Sequence, residues 1–246
     1  AKVTMLERHR FPRDKICGDG CTPRAVMMLK KLKADDVPDA QGAHVHRVYA
    51  TSPGGFELES DIPRHIFGGR GRVITRQVLD AHLVQRALRS GATLEEGVQV
   101  ESVEFEPEQA IVKCRGGRRI GADVVLGCDG SPSVVRRSLK APSFPDDHSA
   151  FAVRAYYEGL NLKRPSSLQL YWERELLPGY GWIFPLPGGR ANVGVGIRTD
   201  LMRAHSVALP ELMERFCRLP HVAQELSGGR RFTAVKGHHL PYGSFA

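Results

Sequence analysis

A mixed α/β fold is predicted by three features of this 246-residue sequence. Near the start, a short apolar strand ends in Glu7 and runs through a Gly-containing loop into a capped helix. That order is part of a dinucleotide-binding βαβ unit, in which a strand ending in an acidic residue usually comes second. A second, longer helical pattern then leads into closely spaced strands. Beyond residue 145 the patterning becomes that of successive antiparallel strands.

The elements follow in order. KVTMLE reads as a short buried strand and FPRDKICGDG as a loop, by its Pro, Asp and Gly. TPRAVMMLKKL reads as a helix capped by Thr22 with Pro23 at its first position. Ala25, Met28, Leu29 and Leu32 give that helix an apolar face. HVHRVYATSPGGFELES reads as two strands around a Gly-Gly turn. TRQVLDAHLVQRALRSGA is the clearest helix: Thr75 can cap it, Leu79, Leu83 and Ala87 recur every four residues, and Gly91 ends it. GVQVESVEFE and QAIVKCRG form an antiparallel ribbon, and ADVVLGCDG has the continuous apolar run of a strand buried on both faces. The Pro- and Ser-rich APSFPDDHSA marks a boundary. FAVRAYYEGL, SSLQLYWE, GYGWIFPLP and ANVGVGIRT then read as antiparallel strands. LPELMERFCRL is an amphipathic helix with Leu209, Leu212, Met213, Phe216 and Leu219 on one face.

A hydrophobic content of 41% supports a sizeable core, and no run approaches the roughly 18 apolar residues of a membrane span. The net charge of +8 favours anionic partners. Its basic residues are dispersed, however, and no nucleic-acid-binding motif is present, so nucleic acid is not an expected partner. The five cysteines are odd in number and irregular in spacing, which suits a reducing cytoplasm. Cys17 and Cys21 have no second close pair to complete a zinc site, so no metal is expected.

Several residues are candidates for binding chemistry, each with a plain structural alternative. Glu7 can accept hydrogen bonds from ribose hydroxyls, or be a solvated strand end. The glycines of PRDKICGDG let backbone approach a flat ligand, or simply make a surface turn. Asp129-Gly130 follows an apolar strand, where ligands of open α/β sheets sit, or forms an ordinary Asp-Gly turn. Arg76 opens a helix against the macrodipole, which calls for an anionic ligand or a crossing salt bridge. Tyr180, Trp182 and Phe184 alternate and so share one strand face, as core or as the wall of an apolar ligand cavity.

Taken together, LERHRFPRDKICGDGCTPRAV, TRQVLDAHLVQRALRSGA, GCDGSPSVVRR and LPGYGWIFPLPGGRANVGVGI resemble the geranylgeranyl reductase family of FAD-dependent oxidoreductases. The similarity is greatest to its actinobacterial menaquinone side-chain reductases. It covers nearly the whole chain, apart from KADDVPDA…PRHIFGGRG and MRAHSV…GGRR. The resemblance implies a Rossmann-like FAD-binding domain (1–40 and 70–140) interleaved with an antiparallel-sheet substrate domain (41–69 and 145–240). It implies that Glu7 binds the adenosine ribose, that Arg8 belongs to the cofactor-binding residues, and that Cys17, Gly18 and Gly20 line the flavin, with Cys17 a catalytic candidate. Arg76 would approach the pyrophosphate, Val100 the adenine, and Asp129 and Gly130 the cofactor cleft. Tyr180, Trp182 and Phe184 would line an isoprenoid tunnel.

The implied reaction is reduction of isoprenoid carbon–carbon double bonds, with NADPH or a reduced carrier protein as electron donor. The implied substrate is an isoprenoid lipid or other apolar molecule. The implied location is cytoplasmic, with basic residues against the inner membrane face. Two alternatives remain: a flavin-dependent monooxygenase or halogenase, and a non-catalytic remnant without FAD. Halogenases usually carry Trp-x-Trp-x-Ile-Pro where this chain has Tyr-Gly-Trp-Ile-Phe-Pro. The family's G-x-G-x-x-G turn and its Gly-Asp segment are not in this sequence. The chain therefore reads as the interior of a longer protein, expected to be inactive alone.

Overall fold

The computed structural model describes residues 1–204 and 208–242. Parts of the MRAHSV and HHLPYGSFA stretches, 205–207 and 243–246, lie outside the described residues. The first half carries β1 (Thr4–Glu7), β2 (Gly20–Cys21), α1 (Pro23–Lys31), β3 (Gly42–Val45), β4 (Arg47–Thr51), β5 (Glu57–Asp61) and β6 (Gly71–Ile74). It continues with α2 (Arg76–Arg89), β7 (Thr93–Glu96), β8 (Val100–Phe105), β9 (Ala110–Cys114), β10 (Arg119–Ala122) and α3 (Val134–Ser138). The second half carries β11 (Ser149–Glu158), β12 (Ser167–Tyr171), β13 (Tyr180–Leu186), β14 (Arg190–Arg198) and α4 (Thr199–Ala204). It ends with α5 (Leu209–Arg218), α6 (Pro220–Glu225), β15 (Arg230–Arg231) and β16 (Lys236–Pro241).

Four sheets result. An eight-stranded sheet runs β15-β11-β14-β13-β12-β4-β5, with β16 also on β11. A small sheet, β2-β6-β3, lies near it, and β1 pairs β7 in parallel. The ribbon of β8, β9 and β10 forms the fourth. The crossover between the small and large sheets falls at His46, between β3 and β4.

One face of the large sheet packs on α5 and α6. Tyr171, Ile183 and Val193 meet Leu212, Met213 and Phe216 there, all nearly free of solvent. Leu209 and Leu219 pack at the margin of the same cluster, as the amphipathic pattern predicts. Gly181 is required at this contact, because a Cβ would lie 2.3 Å from the Phe216 ring.

Four expectations are corrected. Strand β1 is half-buried rather than buried, since β7 is its one partner among the described residues. The ADVVLGCDG segment is not a buried strand: β10 ends at Ala122, and Val124 and Leu126 are 73% and 80% exposed. An apolar run signals a demand for burial, but no strand among the described residues meets it there. Helix α1 is capped by Thr22 Oγ1 as read, yet Met28 and Leu32 face solvent. Thr75 makes no side-chain cap on α2, and the one buried residue of that helix is Asp80, not its leucines.

Candidate functional site

The loop between β1 and β2 carries the residues that the sequence singled out, and the fold fastens it from both sides. On one side is a chain of alternating charge. Glu7 accepts from Arg13 Nε and Nη2 at 3.1 and 3.0 Å, and Arg13 Nη1 donates to Asp80 Oδ2 at 2.7 Å. Arg76 donates from Nε and Nη2 to the same Asp80 at 2.6 and 2.9 Å. Burial pushes the Glu7 carboxyl upward, but the His9 N–H and the Arg13 guanidinium outweigh it and hold it below its usual range. Arg76 is thus explained locally: a carboxylate one turn along offsets the unfavourable macrodipole.

On the other side is a buried polar cluster whose centre, Asp19, was not among the candidates. Asp19 is 2% exposed and adopts a left-handed backbone with φ of +65°. Its Oδ2 accepts from Tyr156 Oη at 2.6 Å and from Asn192 Nδ2 at 2.8 Å. Its Oδ1 accepts from the Arg76 N–H at 3.2 Å, so it supplies the α2 cap that Thr75 does not. Asn192 also donates to the Cys17 carbonyl at 2.7 Å and accepts from Trp182 Nε1 at 3.0 Å. A single amide thereby ties the loop to the aromatic strand. The available signal was an Asp flanked by two glycines in Cys17-Gly18-Asp19-Gly20, a position open to turn-forming carboxylates.

Burial raises the Asp19 carboxyl above its ordinary value, against hydrogen bonds from Tyr156 and Asn192 and the charge of Arg154. The folded state then holds its proton to higher pH than the unfolded chain. This group's contribution to stability therefore declines as pH rises from 3.8 through the folded value. Asp19→Asn is expected to gain on wild type across that interval in denaturant titrations. A stability difference flat in pH from 3.8 upward would show that Asp19 titrates normally.

The aromatic stripe faces this loop. A Cβ on Gly18 would lie 3.4 Å from both Trp182 Nε1 and the Phe184 ring, and one on Gly20 would lie 3.1 Å from Phe184. Tyr180, Trp182 and Phe184 share the sheet face opposite α5, with ring centroids 6.1 and 6.2 Å apart. Trp172 extends the row, 5.9 Å from Tyr180, and was missed because it lies just beyond β12.

Other candidates lie further out. Arg8 is exposed and donates to His9. Val100 opens β8 beside a bulge. Asp129 accepts from Ser133 Oγ and the Val134 and Val135 N–H groups at 2.7, 2.5 and 3.3 Å, so its carboxylate starts α3. Those bonds outweigh burial and hold its carboxyl low. Gly130 adjoins Lys15, whose Nζ would lie 3.5 Å from a Cβ there. A recess of about 550 Å³ lined by His44, His46, Arg64 and Arg70, among others, touches none of the predicted site residues.

The flavin dinucleotide implied by the resemblance can be tested on buried groups without partners. Arg154 is 1% exposed, donates to Asp14 at 2.6 Å and lies 4.4 Å over the Tyr156 ring. Its Nε and Nη1 are buried without a hydrogen-bond partner. Donors left this way near a side-chain-free Gly loop suit a ligand rich in acceptors. The residues present fit the group.

Comparison with known proteins agrees. Residues 1–172 match the family model described as FAD binding domain. Menaquinone reductase of Mycobacterium tuberculosis is 32% identical over 248 residues, covering 98% of this chain and 60% of the relative. Digeranylgeranylglycerophospholipid reductase 1 of Methanopyrus kandleri is 31% identical over 211 residues, covering 80% and 51%. The chain thus spans about half to three-fifths of these relatives. A geranylgeranyl bacteriochlorophyll reductase-like protein from Thermoplasma acidophilum superposes with a TM-score of 0.78 at 18% identity, covering 98% of this chain and 60% of that one. The flavin-dependent brominase Bmp2 gives 0.81 at 18%, covering 97% and 61%. At such identities the structures show a shared fold.

Proposed function

Because this chain belongs to the FAD binding domain family, we propose that it is the flavin- and substrate-facing part of an enzyme that reduces isoprenoid carbon–carbon double bonds. The observation that carries this reading is the aromatic row laid against the Cys17–Gly20 loop, so close that a Cβ on Gly18 would touch Trp182 and Phe184. Relatives named as menaquinone and digeranylgeranylglycerophospholipid reductases support it. FAD, when bound, supplies hydride transfer.

The chain's own residues do the rest. Glu7, Cys17, Gly18 and Gly20 hold the cofactor's edge, and Arg154 offers it Nε and Nη1. Tyr180, Trp182 and Phe184 seat the apolar chain, exclude water and ease positive charge developing at the alkene. Cys17 Sγ accepts from the Asp19 N–H at 3.4 Å, which places the thiol on the loop itself as the candidate proton source. The electron donor is a reduced nicotinamide or a reduced carrier protein. Basic residues hold the protein at an anionic membrane face. No helix among the described residues is long and apolar enough to cross a membrane.

The test is anaerobic incubation of the FAD-loaded complete protein with NADPH or dithionite and a menaquinone or a geranylgeranyl lipid. One hydrogen pair added per reduced bond is the expected mass change. Cys17→Ser is expected to retain FAD and lose turnover; full turnover would remove the thiol from the chemistry. Oxygen-dependent NADPH consumption with an aromatic substrate, and no lipid reduction, would replace this reading by that of a monooxygenase or halogenase.

A further inference from the structure

We infer that the substrate chain continues beyond the aromatic stripe along an apolar row on the same sheet face, from Trp182 through Leu170 and Ala50 to Leu58 at the sheet edge. Residues of β4 and β5 then measure the length of chain held between the reacting bond and that edge. The inference rests on the isoprenoid reading above.

Strand register places these residues side by side. Trp182 pairs with Leu170, Leu170 with Ala50, and Ala50 with Leu58. Residues paired across neighbouring strands point to the same face, so the row is continuous. Three strand spacings span about 14 Å, close to three extended isoprene units. No charged side chain interrupts the row.

The two flanks differ. On one side Phe184 and Leu168 pack beneath Val45 and Val73 of the small sheet, which forms a wall. On the other side Tyr180 and Trp172 lead toward Phe56, which is 69% exposed. The row is therefore a floor with one closed bank.

The edge strand β5 points to a lipid. Its Glu57, Glu59 and Asp61 lie on the opposite face, where Arg47 and Arg164 pair with them. Natural edge strands carry such charge to avoid pairing with other chains. The face toward the flavin loop is instead apolar: Leu58 is 53% exposed and has Ala50 and Leu170, both half-buried, beside it. This surface continues directly from the stripe against the Cys17–Gly20 loop. An uncharged row one residue wide fits a single flexible hydrocarbon chain.

Both tryptophans of this chain, Trp172 and Trp182, lie on this face, so the part of the emission change that Trp172→Phe removes reports its occupancy. The FAD-loaded complete protein is titrated with geraniol, farnesol and geranylgeraniol. Affinity is expected to rise along that series. Leu58→Asp is expected to weaken geranylgeraniol about tenfold, the value of one lost leucine contact, and to leave geraniol unchanged. Ala50→Phe, which plugs the row midway without adding a tryptophan, is expected to do the same. Equal affinity for geraniol and geranylgeraniol, or geranylgeraniol binding unaltered in both variants, would overturn the inference while lipid reduction persists. Failure of every prenyl alcohol to bind, together with no lipid reduction, would instead remove the isoprenoid reading itself. Dimerisation that Leu58→Asp abolishes with no change in affinity would also overturn the inference, by giving the edge to a second copy.

Discussion

Replacing Asn192 with leucine is expected to cost about 3 kcal/mol of stability and to release the Cys17–Gly20 loop from the aromatic strand. Asn192 is fully buried, and its amide is used at both ends. It accepts the Trp182 N–H at 3.0 Å and donates to the Cys17 carbonyl at 2.7 Å and to Asp19 at 2.8 Å. Leucine fills nearly the same volume but leaves an indole N–H and a carbonyl without partners, each costing about 1–3 kcal/mol. Asp19 keeps Tyr156 and the Arg76 N–H, so its carboxylate is weakened rather than stranded. The functional consequence is separate from the stability loss. The loop that would line the flavin loses its tie to the wall that would seat the substrate. FAD affinity is therefore expected to fall more in Asn192→Leu than in a core variant of equal stability loss, such as Val222→Ala. An unchanged denaturation midpoint, with FAD retained, would show that the amide does not fasten the loop.

The strands and helices that sequence periodicity identifies are those with a regular face to bury, whether the partner is a neighbour in sequence, as β5 is for β4, or distant, as β14 is for β11. The β4–β5 hairpin, the β8–β9 ribbon, the β11–β14 array and α5 all formed where patterning placed them. Alternation along GYGWIFPLP was enough to put Tyr180, Trp182 and Phe184 on one face. Patterning failed where what meets the segment is not what its pattern calls for. The apolar residues of ADVVLGCDG find no strand partner among the described residues, and α2 buries Asp80 because two arginines from different segments converge on it. The ends of the candidate site stand out in the sequence; its fastening does not. Glu7, Cys17, the glycines and the aromatic stripe stood out by residue type and spacing. Asp19, Tyr156 and Asn192 carry no local motif, because their meaning lies in contacts across more than 130 residues of sequence.

The two fastenings divide the labour of the loop. The Glu7–Arg13–Asp80–Arg76 chain keeps 10–25% of each side chain exposed, so it is more open to water and salt than the second fastening. The Asp19–Asn192–Tyr156 cluster is buried, so its hydrogen bonds are strong and leaving one unmade is costly. A loop held by both keeps Gly18 and Gly20 against Trp182 and Phe184 without bulky side chains of its own. Backbone there stays open to a flat ligand.

Gly194→Val is expected to destabilise the protein by about 3 kcal/mol even though valine is the better strand former. Gly194 sits in β14 opposite Trp182, and the indole lies across it. A Cβ at this position would fall 2.3 Å from Trp182 Cζ2 and 2.4 Å from the Val153 carbonyl oxygen. The second contact is with backbone, so turning a side chain does not relieve it. The indole must leave the sheet face, which breaks its hydrogen bond to Asn192 and moves the wall that faces Gly18. Gly196 provides the control two residues along the same strand and face. A Cβ there would meet Ala152 Cβ at 3.5 Å and the Phe151 oxygen at 3.7 Å, ordinary contact distances. Gly196→Ala is accordingly expected to be neutral or to stabilise by up to about 1 kcal/mol, through a less flexible unfolded chain. Denaturant melts of Gly194→Ala, Gly194→Val and Gly196→Ala, followed by tryptophan fluorescence, separate the cases. If both positions respond alike, strand flexibility explains the glycines. If Gly194 variants alone shift the tryptophan emission and lose stability, position 194 is glycine because Trp182 must lie flat beside the loop.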